Sequence, residues 1–118
     1  MLLNAIIERL KEGTIKNIVA YSDSDKMPEV PYVVVKPENG AVKDTRQYRI
    51  IVHHTQGKLD VLEAYAMTEI DELLCGHIDY EGHRYLLFCG GYTDVTPEPQ
   101  DNTYFMERIF FTPLNVAR

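Results

Sequence analysis

The sequence predicts an α+β domain, an antiparallel sheet of about four strands with two helices packed on one face, in the order α-β-β-α-β-β. Two segments place apolar residues at the three- and four-residue spacing of a helix. Four others have the β-branched and aromatic runs typical of strands. Because strand pairs precede and follow the second helix, we expect two hairpins and a single domain over residues 1–118.

The first helix is predicted over residues 2–12, where five apolar side chains form one stripe: Leu2, Leu3, Ile6, Ile7 and Leu10. Gly13 is well placed to end it, because glycine takes the left-handed conformation of a helix C-terminus without steric cost. The first strand, residues 32–36, lies between Pro31 and Pro37. We expect these prolines to limit it to about five residues.

The second strand is predicted over residues 46–54, because Tyr48, Ile50 and Val52 alternate with more polar neighbours. This pattern is typical of a half-buried strand, paired here antiparallel to the first. Residues 59–75 return to the helical period, with Gly76 as a helix end.

Two further strands are predicted at residues 84–89 and 103–112. Residues 77–82 before them read as a turn or a short hairpin arm. Residues 90–102 form a polar loop, in which Gly90-Gly91 is expected to let the chain turn out of the sheet.

The charge balance is acidic, with 12 Lys and Arg against 18 Asp and Glu and a net charge of −6. A general nucleic-acid binder needs a basic surface, so this class is excluded. Adsorption to an anionic membrane is disfavoured for the same reason. No secretory signal is recognised at the start, and every apolar run falls short of the ~20 residues that cross a bilayer.

The histidines and cysteines do not form a recognisable metal site. His53 and His54 are adjacent on a strand and therefore point to opposite faces. Cys75, His77 and His83 match no established zinc spacing. We expect neither a metal nor a cofactor.

The two cysteines, Cys75 and Cys89, are 14 residues apart in the chain. That spacing fits no short-spaced redox or zinc pair. For a protein made in a reducing compartment, it predicts two buried thiols.

Catalytic motifs are missing as well. Glu69 and Glu72 share a side of the second helix, and Asp79 and Glu81 form another acidic pair, but wet surfaces commonly carry such runs. The sequence has no nucleophile elbow, and Gly90-Gly91 is followed by neither the helix nor the lysine of a phosphate-binding loop. We therefore expect a protein that is not an enzyme.

The predicted strands are apolar on both faces, and two helices cannot cover both. The second face is then covered either by residues 15–21 or by another subunit. If another subunit covers this face, we expect the oligomer interface to include four residues: Arg49, Ile51, Glu107 and Arg108. We expect charge reversal of Arg49 or Arg108 to weaken self-association more than folding.

The order of these segments is similar to that of a known protein family. It combines an amphipathic first helix, a Pro-Tyr strand, an alternating strand, a long helix and a closing strand. The segments that carry the likeness are Pro31-Tyr32-Val33-Val34-Val35, Tyr48-Arg49-Ile50-Ile51-Val52, Tyr92-Thr93-Asp94-Val95-Thr96-Pro97-Glu98 and Tyr104-Phe105-Met106-Glu107-Arg108-Ile109-Phe110-Phe111. Over nearly its whole length the chain resembles the tail-completion and tail-terminator (head-tail joining) proteins of long-tailed bacteriophages and prophages.

The resemblance implies a structural role in virion assembly without catalytic residues. Such proteins form a homo-oligomeric ring, often hexameric, that caps the tail tube and joins it to the head connector. It implies assembly in the host bacterial cytoplasm and a final place in the tail or neck of the virion. Loops 37–46 and 90–102 would contact the tail-tube protein or the connector protein.

A different class of function stays open. The chain could be a non-enzymatic small-molecule-binding or regulatory α+β domain, dimeric, with the sheet face as the floor of the ligand site. The mass in solution separates the two classes, because a ring is far heavier than a monomer or dimer.

Overall fold

The computed structural model describes residues 2–21, 29–39, 44–55, 57–98 and 102–113. The first helix is α1 (Leu2–Leu10). The second, α2 (residues 59–74), joins α-helical Leu59–Ala64, π-helical Tyr65–Glu69 and α-helical Ile70–Leu74. The strands are β1 (Ile18–Ala20), β2 (Tyr32–Asn39), β3 (Thr45–Thr55), β4 (Gly76–Tyr80), β5 (His83–Tyr92), β6 (Thr96–Glu98) and β7 (Thr103–Pro113).

The strands form one curled, mixed sheet in the order β1-β2-β3-β7-β5-β4, and β6 also pairs with β7. β1 runs parallel to β2, whereas the other pairs are antiparallel. The expectation of an antiparallel sheet of about four strands in the order α-β-β-α-β-β is therefore wrong. It missed β1 and β6 because runs of three residues are too short to establish an alternating pattern. Of the two alternatives for residues 77–82, a turn or a short hairpin arm, the hairpin arm is confirmed by β4, which pairs antiparallel with β5.

The segment 15–21 illustrates the error. Two alternatives were open for the second face of the sheet: cover by this segment or cover by another subunit. Ile18–Ala20 instead adds a strand at the sheet edge, and Ile15 and Ile18 join the core beneath the helices, so the subunit alternative stays a prediction. Within the described part of the chain, the second face is left without a covering helix.

β2 is also longer than the prolines predicted. Pro37 lies inside the strand, opposite Tyr48 of β3. The position tolerates proline because β1 pairs only with Val33–Val35, so the outer side of β2 has no described strand partner at Pro37. The predicted loop 37–46 thus shrinks from both ends, and its residues 40–43 lie outside the described ranges.

The core lies between the two helices and one face of the sheet. Fully buried side chains from every layer meet there, including Ile6, Ile50, Leu62, Leu74 and Phe110. Burial of such a set is the main force that fixes the helices on this face. We call this face of the sheet the helix face.

The π-helical turn in α2 follows from the spacing of its buried residues. Leu62, Ala66, Ile70 and Leu74 recur every four residues, and all are fully buried. In a straight α-helix such a stripe drifts by about 40° per step, because each residue turns about 100°. A wider π turn takes up part of that drift, so all four side chains face the sheet.

The predicted loop 90–102 is largely strand. β5 continues through Gly90-Gly91 to Tyr92, and β6 follows at Thr96. The two glycines therefore do not lead the chain out of the sheet; they form an irregularity within the β5–β7 ladder. Residues 99–101 lie outside the described ranges.

Candidate functional site

The sheet face opposite the helices has no helical cover in the described ranges, and we call it the open face. Its centre is a grid of three strands by four rows, set by the register of β2, β3 and β7. The rows are Glu38–Gln47–Phe111, Lys36–Arg49–Ile109, Val34–Ile51–Glu107 and Tyr32–His53–Phe105.

An ion-pair network occupies the middle of the open face. Arg49 Nε lies 3.1 Å from Glu38 Oε2, and Arg49 Nη1 lies 3.0 Å from Glu107 Oε1. Lys36 Nζ lies 3.5 Å from Glu38, and Gln47 donates to Glu38 at 2.6 Å. The network joins three strands and balances its own charge.

The network shifts the pKa values of two of its groups, Glu38 and Arg49. Burial opposes ionisation of Glu38, but hydrogen bonds from Arg49 and Gln47, with the charges of Arg49 and Lys36, hold its pKa below the usual value. The pKa of Arg49 is raised, first by its hydrogen bond to Glu38. Both groups therefore keep their charges in the folded state.

An aromatic cluster closes one end of the grid. The His53 ring stacks on Tyr32 at 4.5 Å between ring centroids and lies 5.7 Å from Phe105. His53 Nδ1 is 2.8 Å from Glu98 of β6, which also accepts a hydrogen bond from Thr103 at 3.0 Å. These contacts fix the orientation of the ring.

The other end of the open face is apolar. Phe88 of β5 pairs with Phe111 of β7 and is 52% exposed. Gly90 lies against the Phe111 ring and the Ile109 carbonyl, where an added Cβ would collide with both. The glycine thus lets Phe111 lie flat against β5, beside an exposed phenylalanine.

Arg108 lies on the helix face, with a side chain only 5% exposed. It donates to the carbonyl of Ala66 in the π-helical turn at 2.6 Å and to that of Gly91 at 3.3 Å. Its Nη2 lies 2.6 Å from Asp71 Oδ1. Arg108 thereby ties α2 to β5 and β7.

The four predicted interface residues divide between the two faces. Arg49, Ile51 and Glu107 lie together on the open face, whereas Arg108 is buried beneath α2 on the opposite face. Alternation along β7 alone separates Glu107 from Arg108, because neighbours on a strand point in opposite directions. The interface role of these residues stays a prediction.

Comparison with known proteins gives a likeness of fold. No protein-family model matches the chain, and no curated protein matches its sequence. The backbone is similar, with a TM-score of 0.70, to a chain of a solved structure described as the virion of the native gene transfer agent (GTA) particle. The chain shares its fold with that virion chain. The match covers 95% of this chain and 92% of the other at 15% sequence identity.

The sheet and both helices belong to the fold shared with the GTA virion chain, because the match leaves only 5% of this chain uncovered. At this identity the likeness establishes the fold. The described helices include none long and apolar enough to span a membrane.

The four histidines considered from the sequence as metal ligands lie on different faces of their strands. His53 and His54 lie on opposite faces, as predicted. Burial lowers the pKa of His54, and the positive charge of Lys58 lowers it further. His77 pairs with Leu86 and His83 with Tyr80, positions of opposite parity on the β4–β5 hairpin. The described residues instead place Asp71 beside Cys75 and Cys89, with ligand atoms within 4.8 Å of one another.

The prediction of two buried thiols is wrong. Cys75 and Cys89 are both exposed and joined as a disulfide, with their Cα atoms 6.1 Å apart. Sequence spacing could not reveal the pair, because the β4–β5 hairpin between them returns the chain to the end of α2. As a disulfide the pair offers no thiolate to a metal; only the reduced form could hold one with Asp71.

One member of each acidic pair has a structural partner. Glu69 accepts hydrogen bonds from the Thr14 amide at 2.6 Å and from the Thr14 hydroxyl at 2.9 Å, which ties α2 to the end of α1. Gly13 leaves the space for this carboxylate. Asp79 pairs with Arg84 at 2.9 Å, and that hydrogen bond lowers the pKa of Asp79. Glu72 is exposed.

Two grooves run along α2, with volumes of about 480 and 410 Å³. The first is lined by Val61 and Tyr65 among others, and burial with the nearby Glu69 charge raises the pKa of Tyr65. The second lies between α2 and Tyr92. Neither is lined by the open face, so they do not supply the sheet-floored ligand site of the alternative function.

Proposed function

We propose that this chain is a structural protein of a phage-type virion, a tail terminator whose copies form a ring that caps the tail tube and meets the head connector. The observation that carries the proposal is the full-length fold match to a chain of the GTA virion. The sequence resemblance to tail-completion proteins points to the same class independently of that match. A ring of this kind needs no catalytic residues, only stable surfaces between copies and partners.

The open face is the surface we assign to contacts between copies. It combines an ordered ion-pair network at Arg49 and Glu107 with the half-buried side chain of Ile51. Phe88 adds exposed apolar area at its edge. The charges lie in the middle of the face and the exposed apolar area at its edge, and because the network pairs its own charges, another copy can cover it without leaving an ion unpaired.

The first test is the mass of the purified protein in solution, measured by light scattering over a range of concentrations. We expect a species several times the 13.6 kDa of one chain, six times that mass for a hexamer, and rings in negative stain. A strict monomer at all concentrations contradicts the proposal. A dimer that binds a metabolite supports the small-molecule-binding alternative.

Two variants test the proposed surface. Arg49→Glu places a third carboxylate between Glu38 and Glu107, and Phe88→Ser removes exposed apolar area. We expect each to lower the oligomer mass by weakening contacts between copies, with the circular dichroism spectrum unchanged. Lys58→Glu is the matched control, because it makes the same charge change at the start of α2. An equal loss of mass in the control would refute the assignment to the open face.

The terminator role is tested in cells that produce the particle. Deletion of the gene is expected to give overlong, headless tails, and a plasmid copy is expected to restore normal particles. Tails of normal length without heads would instead assign the chain to the connector side of the joint. Particles that assemble normally without the gene would refute a role in the virion.

A further inference from the structure

The pairing of Cys75 with Cys89 stands outside the ring proposal and has a chemistry of its own. Cys75 directly follows α2, and Cys89 lies within β5, so their link joins the end of a helix to the sheet. The 14-residue span encloses the β4–β5 hairpin, whose strand β4 lies at the edge of the sheet. The link therefore restrains an edge hairpin whose outer strand, β4, has one strand neighbour among the described residues.

The surroundings of the two sulfurs suit both oxidation states. The Cα separation of 6.1 Å lies in the ordinary range for a disulfide, about 4.4–6.8 Å. Asp71 Oδ1 lies 3.6 Å from Cys75 Sγ and 3.3 Å from Cys89 Sγ, so it can accept hydrogen bonds from the two thiols after reduction. The same backbone thus accommodates the dithiol and the disulfide.

Reactivity is favoured at Cys89 in particular. Arg108 Nη2 lies 3.5 Å from Cys89 Sγ and 2.6 Å from Asp71 Oδ1, so its positive charge favours the nucleophilic thiolate and offsets the opposing charge of the Asp71 carboxylate. Arg108 is itself held by the carbonyls of Ala66 and Gly91, so its charge stays in place. Both cysteines are exposed, which gives small molecules access.

We propose that Cys75 and Cys89 form a reversible thiol–disulfide exchange site that takes small-molecule disulfides of the glutathione class as oxidant. The Cys89 thiolate attacks one sulfur of the oxidant, which forms a mixed disulfide and releases one glutathione thiolate. The Cys75 thiolate then attacks Cys89 Sγ, which closes the protein disulfide and releases the second glutathione thiolate. Two cysteine protons pass to solvent, two electrons pass to the oxidant, and reduced glutathione reverses both steps.

The consequence is a lock on the edge hairpin that closes when the protein moves from a reducing to an oxidising environment. The proposal holds whether or not the chain forms a ring. For a protein made in a reducing cytoplasm and released from the cell, oxidation would follow folding and assembly.

The test is equilibration of the purified protein in buffers of varied ratio of reduced to oxidised glutathione, followed by alkylation of free thiols and mass spectrometry. We expect a reversible transition between the dithiol and an intramolecular disulfide, with little mixed disulfide. Hydrogen exchange on the same samples should slow in β4 when the disulfide forms. Cys75→Ser removes the resolving thiol and is expected to accumulate the mixed disulfide at Cys89.

Three results would overturn the proposal. The first is a protein that stays a dithiol across the whole range of glutathione ratios. The second is oxidation that gives dimers linked between chains on a non-reducing gel. The third is β4 exchange that is equal in both states, which would remove the lock even if the bond forms.

Discussion

Replacement of Arg108 by methionine tests how this fold holds α2 on the sheet. Methionine fills much of the same volume without a charge, so Arg108→Met removes hydrogen bonds more than it removes packing. The guanidinium now satisfies the carbonyls of Ala66 and Gly91 and pairs with Asp71. The variant leaves the Ala66 carbonyl without that donor in a buried setting and the Gly91 carbonyl without it in a partly buried one.

The expected cost follows from these contacts. A hydrogen bond to a charged group contributes about 1.5–3 kcal/mol, and a buried carbonyl left without a partner costs about 1–3 kcal/mol. Removal of one partner from a buried ion pair costs about 3–5 kcal/mol, but Asp71 is 37% exposed and regains water, which lowers the figure. We therefore expect a loss of about 3 kcal/mol in the free energy of unfolding.

The assay is urea unfolding followed by circular dichroism, with a reductant in every sample so that the cysteines are in one state. At a slope of about 1–3 kcal/mol per molar urea, the midpoint should fall by roughly 1–3 M. Arg84→Met is the matched control, because Arg84 pairs with Asp79 at 2.9 Å with both side chains exposed. Exposed pairs add little to stability, so its midpoint should hardly move.

The reasoning is refuted if Arg108→Met unfolds at the wild-type midpoint or shifts no more than Arg84→Met. The contacts of Arg108 also argue against the expectation from sequence that charge reversal at this residue weakens self-association more than folding. Burial beneath α2 implies that this charge acts first on folding.

Three further changes are expected to report on other contacts, each read as a shift in the urea midpoint. Gly90→Ala should destabilise by about 1–3 kcal/mol, since a Cβ collides with β7, whereas Gly91→Ala has open space and should be neutral; equal effects would contradict the packing described. Glu69→Ala should lose about 1–2 kcal/mol with its hydrogen bonds to the α1 end, while exposed Glu72→Ala should not. The pKa of Glu38 is lowered in the folded state, so ionised Glu38 stabilises the fold at pH values above its unfolded pKa, and this contribution is lost as the pH falls through the folded-state pKa. The loss of stability in Glu38→Gln should therefore be largest near neutrality and shrink below about pH 4. A loss that is the same at every pH would contradict this sign.

The long elements were predictable because their patterns extend over many residues. The stripe of α2 and the alternation of β3 each bury a continuous set of side chains, and the structure confirms a helix over residues 59–74 and a strand at Thr45–Thr55. The three-residue strands β1 and β6 were missed, because their pairing is decided by the strand beside them. Sheet size and mixed direction depended on those short pieces.

The candidate site was also predictable only in part. The sequence indicated a second apolar face and placed Arg49, Ile51 and Glu107 on it by hypothesis. Their meeting with Glu38 across β2 depends on a register that no local pattern sets.

What the sequence determined by itself is an acidic chain with two helices and long alternating strands. Tertiary structure alone decided which residues meet. It placed Arg108 beneath a π-helical turn and brought Cys75 to Cys89 by returning the chain through a hairpin. The physical reason is that periodicity records which side of an element is buried, whereas contacts between distant residues are fixed only when strands pair and helices pack.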